Sequence, residues 1–151
     1  MTAPSTDALV QALQRVLGAH HAAVYGYPVI GVGLRDGGQL RRARHLQGQH
    51  RQTRDELMAE LAGRSISPVP AEPAYTPAEP VTDPTGAQRW ALQLEQDCAA
   101  AYRYLLATAV LSQQTGFRRQ ALTGLTTAGE RATDWRALLT PSTPTVAFPG
   151  L

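Results

Sequence analysis

The chain has 151 residues, 43% of them apolar, and a formal charge of +2: enough chain for one domain around one core, and too little charge to indicate nucleic acid by itself. All 14 basic residues are arginine, which excludes a phosphate-loop lysine and Schiff-base chemistry. The single cysteine, Cys98, excludes an internal disulfide and any multi-cysteine zinc or iron–sulfur site, and reads as a small buried apolar residue.

The stretch from Met1 to Asp7 has neither a basic region nor a following apolar one, so no secretory leader is expected and a cytoplasmic protein is. No apolar run approaches the roughly 20 residues that span a bilayer. The first helix is expected from about Asp7 to Leu34. Ser5 or Thr6 would cap it, and Asp7 suits the positive end of its dipole. Leu9, Leu13, Val16, Val24 and Tyr27 recur at helical spacing, with one gap filled by His20. Pro28 should kink this helix. Asp36-Gly37-Gly38 reads as a tight turn that makes the first two helices antiparallel.

The second helix is expected from about Gln39 to Leu61, with Gly63 as its C-terminal cap. Its stripe is Leu40, Ala43, Leu46 or Gln47, His50, Thr53, Leu57 and Leu61. Residues 64–83 then carry Pro68, Pro70, Pro73, Pro77 and Pro80, and Pro84 follows. No helix survives that density of proline. Extended chain at roughly 3.1 Å per residue can instead run back along a whole helix, leaving helices two and three parallel. The third helix opens with Asp83 as cap and Pro84 in the first turn, and should run to about Ser112. Trp90, Leu92, Leu94, Ala99, Tyr102, Leu105, Leu106 and Ala109 lie along it. Thr115-Gly116 reads as the break before a fourth helix from Phe117 to Leu139. The apolar tail residues Val146, Phe148 and Leu151 should fold back onto an all-α four-helix bundle.

His20, His50 and Glu95 interrupt apolar stripes. A carboxylate flanked by Ala91, Leu92, Cys98 and Ala99 is costly to bury unpaired. His50 lies 11 residues past Gln39 and Glu95 lies 11 past Pro84, and both helices start at the same end. His20 falls within roughly 6 Å of that height. The three can therefore meet at mid-bundle. Two imidazoles and a carboxylate are plausible ligands for zinc, iron or manganese. They equally suit a hydrogen-bonded cluster completed by Tyr27 or Tyr102, and this second reading is preferred.

The segment His20-His21-Ala22-Ala23-Val24-Tyr25-Gly26-Tyr27 resembles the first helix of ferritin-like carboxylate proteins, whose pattern is Glu, two residues, Ala, three residues, Tyr. Together with Leu94-Glu95, the crossover segments Glu72-Pro73-Ala74-Tyr75 and Val81-Thr82-Asp83-Pro84, and the ending Ala147-Phe148-Pro149-Gly150-Leu151, it makes nearly the whole chain similar to an actinobacterial ferritin-like domain family of unassigned function. The resemblance implies a ferritin-like bundle and, from the fold class, a homodimer. Di-iron members of that class use a Glu on each of two helices and Glu-x-x-His on the other two. Here His20 takes the first Glu position, Gln47 pairs with His50, Glu95 keeps the third-helix carboxylate, and Glu130 pairs with Thr133 and falls off the apolar stripe. Too few carboxylates remain to offset two iron charges, so the chain should not be a ferroxidase.

Arg35, Arg41, Arg42, Arg44, Arg51 and Arg54 crowd the second helix. Arg41, Arg44 and Arg51 share roughly one side, which could face nucleic acid or an acidic protein. A solvated face paired with Asp55, Glu56 and Glu60 is the preferred reading. Ser112 and Ser142 have no placed base and there is no nucleophile elbow, so no enzyme is indicated. Tyr25, Tyr75 and Tyr104 read as packing or surface residues, and Trp90 and Trp135 as core anchors. Three functions stay open: a scaffold or interaction bundle with a degenerate metal site, a metalloprotein using His20, His50 and Glu95, and an arginine-faced binding bundle. The first is preferred.

Overall fold

The computed structural model describes residues 6–151. Its helices are α1 (Thr6–Gly33), α2 (Gly37–Gly63), α3 (Pro84–Leu111) and α4 (Thr115–Leu139). The side chains expected to cap α1, Ser5 or Thr6, lie outside the described ones. α1 runs unbroken through Pro28, which is exposed, so the carbonyl it deprives of a partner is on the wet side. The turn between α1 and α2 is shorter than expected. Gly37 and Gly38 belong to α2, and Asp36 caps it, its Oδ1 accepting from Gln39 N at 2.8 Å. Asp83 does the same for α3, accepting from Gly86 N at 2.7 Å, with Pro84 in the first turn as expected.

The C-terminal ends differ from expectation. Gly63 is still helical, and the left-handed residue is Ser65 at φ 60. Ser65 N donates to Ala62 O and Ile66 N to Leu61 O, the paired bonds of a Schellman motif. α3 ends the same way on Gln113 at φ 58, so the break comes before Thr115 and Gly116, which open α4. A side chain with a Cβ is disfavoured in this conformation. Ser65→Gly should therefore stabilise the fold by about 0.5–1 kcal/mol, read as a raised urea midpoint; a lowered midpoint would mean that the Ser65 side chain contributes contacts of its own.

α1 packs on α2 and α3, and α3 packs on α4, while α2 and α4 do not meet at backbone contact distance among the described residues. The short links make α1 and α2, and α3 and α4, antiparallel. Gly33, at the end of α1, lies against Ala87 at the start of α3, so α2 and α3 run parallel. Residues 64–83 make that return as a Pro-rich strap. Gln14 grips it at both ends of its amide, donating to Ser67 O at 2.8 Å and accepting from Val69 N at 2.7 Å. His21 Nε2 donates to Val69 O at 3.0 Å, and the Tyr25 and Tyr75 rings meet at 5.5 Å. No described helix is long and apolar enough to cross a membrane.

The core has two apolar halves. One gathers Leu13, Val16, Leu17, Leu57, Leu61, Leu105 and Phe117; the other gathers Tyr27, Ile30, Leu46, Trp90, Leu94 and Trp135. Between them lie His20, His50 and Glu95, all buried. The tail contradicts expectation in detail. Val146, Phe148 and Leu151 are exposed. The tail is anchored instead by Pro149 on Gly129 and by Gly150 (φ 85), where a Cβ would stand 2.7 Å from Ala99 O. Arg136 Nη1 holds Pro144 O at 2.9 Å.

Candidate functional site

The three polar interruptions meet. α1 supplies His20 and Tyr27, α2 supplies His50, α3 supplies Glu95, Cys98 and Tyr102, and α4 supplies Arg131 and Trp135. His20 and His50 face each other through their Nδ1 atoms at 2.9 Å. His20 Nε2 lies 2.9 Å from the Tyr102 hydroxyl, and His50 Nε2 lies 2.9 Å from Glu95 Oε1. Tyr27 donates to the same Glu95 oxygen at 2.5 Å, and Trp135 Nε1 donates to Tyr27 at 3.1 Å. The result is one buried chain: Tyr102, His20, His50, Glu95, Tyr27, Trp135.

Hydrogen-bond chemistry orders its protons. Glu95, as a carboxylate, only accepts, so His50 carries its proton on Nε2. With His50 neutral, its Nδ1 is an acceptor, His20 donates from Nδ1, and Tyr102 donates into His20 Nε2. Every ring nitrogen is satisfied with both imidazoles neutral. Burial holds His20 well below the ordinary histidine range, helped by His50 and then by Arg131 and His21. Burial and the neighbouring Glu95 push the Tyr27 phenol well up, and burial does the same to the Cys98 thiol.

The acid side of the stability profile follows. Unfolded His20 takes a proton near pH 6.5, while the native residue resists it to lower pH. Between those values the unfolded state binds more protons, so stability is complete above about pH 6.5 and falls by up to about 1.4 kcal/mol per unit as pH drops. Urea midpoints taken from about pH 7.5 down to about pH 5.5 should decline, and less steeply for His20→Asn. Equal slopes would show that His20 is not the group responsible.

Glu95 Oε2 accepts no hydrogen bond; its nearest cation is Arg131, with Nη1 at 3.9 Å. Arg131 Nη2 donates to Gln49 Oε1 at 2.8 Å. His20, His50 and Cys98 place one ligand atom each within 4.8 Å of one another. This cluster contains Cys98, expected only as an apolar filler, and does not contain Glu95, expected as the third ligand. Gln47 is half-buried and Glu130 is exposed, and Glu130 is not in this cluster. Arg41, Arg44 and Arg51 are exposed as expected. The expected pairing is found in part: Arg54 pairs with Asp55, whereas Arg42 reaches across to Asp134 on α4, Glu60 takes Arg64, and Arg41, Arg44 and Arg51 form no ion pair among the described residues. Glu56 instead accepts from Gln52 at 2.9 Å.

A di-iron centre does not fit these residues. Among the described residues Glu95 is the one carboxylate in the buried layer, and a single carboxylate leaves most of the charge of two ions uncompensated. The described residues form a ferritin-like bundle with a sparse His/His/Cys cluster in place of a ferroxidase site.

Residues 12–151 match the family described as "Domain of unknown function (DUF4439)". The chain belongs to this family. Among solved structures, a conserved hypothetical protein, rv2844, from Mycobacterium tuberculosis is similar at 28% identity and a TM-score of 0.81, over 89% of this chain and 99% of that one. A structure of ferritin like, diiron-carboxylate proteins from Bacillus anthracis str. Ames superposes with a TM-score of 0.78 at 13% identity, over 91% and 100%, and shows the shared fold. No curated protein sequence matches. The DUF4439 chain is therefore a ferritin-like domain of unassigned function related to a mycobacterial protein.

Proposed function

We propose that this DUF4439 protein is a non-redox ferritin-like module, a scaffold or interaction bundle in which hydrogen bonding has replaced metal ligation. The observation that carries this is the chain from Tyr102 to Trp135, in which all four imidazole nitrogens already have protein partners. A core satisfied in this way specifies one packing arrangement without a metal. The mycobacterial relative supports an actinobacterial branch for the family. A cytoplasmic setting is part of the proposal and agrees with the lone buried thiol of Cys98. A dimer is also part of it: Val146, Phe148 and Leu151 leave apolar surface for a second copy, and a sharp monomer mass in solution would remove it.

A second reading is favoured by the convergence of His20, His50 and Cys98. Two imidazoles and a thiolate match zinc better than iron or manganese. Ligands of one tetrahedral ion stand about 3.5 Å apart, so the His20–His50 bond, 2.9 Å between the two Nδ1 atoms, would have to open. The thiol would also have to lose its proton, against the burial that raises it.

Elemental analysis of protein purified without chelator or nickel, beside His50→Ala, separates the two. The hydrogen-bonded reading expects no stoichiometric metal, even after zinc, iron and manganese are offered. About one zinc per chain, lost in His50→Ala, would replace it with the mononuclear site.

A further inference from the structure

Ferritin-like bundles close as a square, yet here α2 and α4 stay apart, and the reason is written into both helices. The residues α4 turns toward α2 follow one helical stripe through Gly116, Gln120, Thr123, Gly124, Thr127 and Arg131. The answering residues on α2 are Gln49, Gln52, Thr53, Glu56 and Leu57. Apart from Leu57 on α2, neither stripe has the large apolar side chains that draw helices together, and the short ones on α4 leave a void. Polar side chains span the seam instead, as Arg131 to Gln49 at 2.8 Å and Gln120 to Glu60 at 3.0 Å. The opening is a cleft of about 580 Å³, with His20, Cys98 and Tyr102 at its floor. Gly124 is fixed by this arrangement: a Cβ there would stand 2.2 Å from the Tyr102 ring.

A cavity of this size, lined by Leu57, Ala128 and the Tyr102 ring as well as by hydroxyls and amides, suits a small ligand with both apolar and polar parts. Its charges point to the ligand's sign. Arg119 and Arg131 border it from α4. Arg119 takes part in no ion pair among the described residues. Arg131 is held at one nitrogen by Gln49 and lies 3.9 Å from Glu95, beyond hydrogen-bond distance, so guanidinium donors remain unspent. The one carboxylate on the lining, Glu56, is occupied by Gln52.

We propose that the cleft between α2 and α4 binds a small organic anion, a carboxylate or a phosphate, with its acid group held by Arg131 and its remainder lying along Thr127 and Thr123 toward Arg119, which stands 12 residues, about 18 Å, away along α4. Carboxylate and phosphate share the guanidinium chemistry that would hold them, so the probes must tell them apart. The site does not depend on a metal, because its donors are not the atoms of the His/His/Cys cluster.

The test titrates succinate and inorganic phosphate separately into the whole protein at near-physiological salt, following the amides of Thr123, Gly124 and Thr127 and the His20 ring by NMR. Two variants accompany it: Arg119→Gln, at an exposed position, and Thr127→Leu, which fills the void from a half-buried one. Thermal midpoints confirm that each is folded. Saturable shifts confined to the cleft, weakened about tenfold or more by Thr127→Leu and less by Arg119→Gln, are expected. A response to succinate alone assigns a carboxylate, and a response to phosphate alone assigns a phosphate. No saturable shift with either probe, shifts centred elsewhere, or binding indifferent to both variants would overturn the proposal. That failure would leave the hydrogen-bonded core standing, since the core is read from histidine tautomers in the free protein.

Discussion

Glu95→Ala should cost about 3–5 kcal/mol of folding stability, the scale for removing one partner of a buried charge pair. Glu95 is fully buried. It accepts from His50 and from Tyr27 and stands beside Arg131. Truncation strands an imidazole N–H, a phenol and a guanidinium that is itself largely buried, and each loses solvation that nothing replaces. Glu95→Gln keeps the shape and one acceptor oxygen, so it should cost roughly half as much or less. Urea denaturation at neutral pH measures both. A loss near 1 kcal/mol for Glu95→Ala would mean that water enters and satisfies the orphaned groups, and that the chain is not a dry, mutually dependent unit.

Trp135→Ala should lose a similar amount, about 3–5 kcal/mol, for a different reason. The Trp135 side chain is fully buried in the apolar half that holds Tyr27, Leu46 and Leu94. Its indole donates to Tyr27, and Arg42 lies over its ring at 5.8 Å. The main term is the cavity left by a large side chain at a position the backbone cannot collapse around. Trp135→Phe separates the terms, since it keeps most of the volume and removes only the N–H. It should cost about 1–2 kcal/mol. A Phe variant as damaged as the Ala variant would show that the hydrogen bond to Tyr27, and through it the order of the whole chain, outweighs the packing.

The bundle and its mid-height polar layer were legible because helical periodicity is strong in all four segments. His20, His50 and Glu95 each broke a stripe, and counting along the helices placed them together. Tyr27 and Tyr102 were readable as partners from their places on the same faces. Cys98 was undervalued: it lies one turn beyond Glu95 on the same face, and that spacing was the available signal. Arg131 had no such signal, since its role depends on which way α4 is rotated against α3. The helix ends failed for a local reason. Glycines at 63 and 116 are the usual markers, but the left-handed positions went to Ser65 and Gln113, whose backbone bonds offset the strain. The tail was misjudged because its apolar residues were expected to pack, whereas small contacts at Pro149 and Gly150 hold it. The stripe of small and polar residues on α4 is the sequence signal for the open seam between α2 and α4.

The central claim is that two neutral histidines of opposite tautomer fill the place of a metal centre. Long-range proton–nitrogen NMR of the imidazole rings tests it most directly, in metal-free protein near pH 7 and again after zinc and ferrous iron are offered. The structure predicts His20 protonated on Nδ1, His50 protonated on Nε2, and no change in either ring on adding metal. Both Nδ1 atoms shifted together by metal, with the Nδ1 proton of His20 lost, would contradict it and make this a metal site.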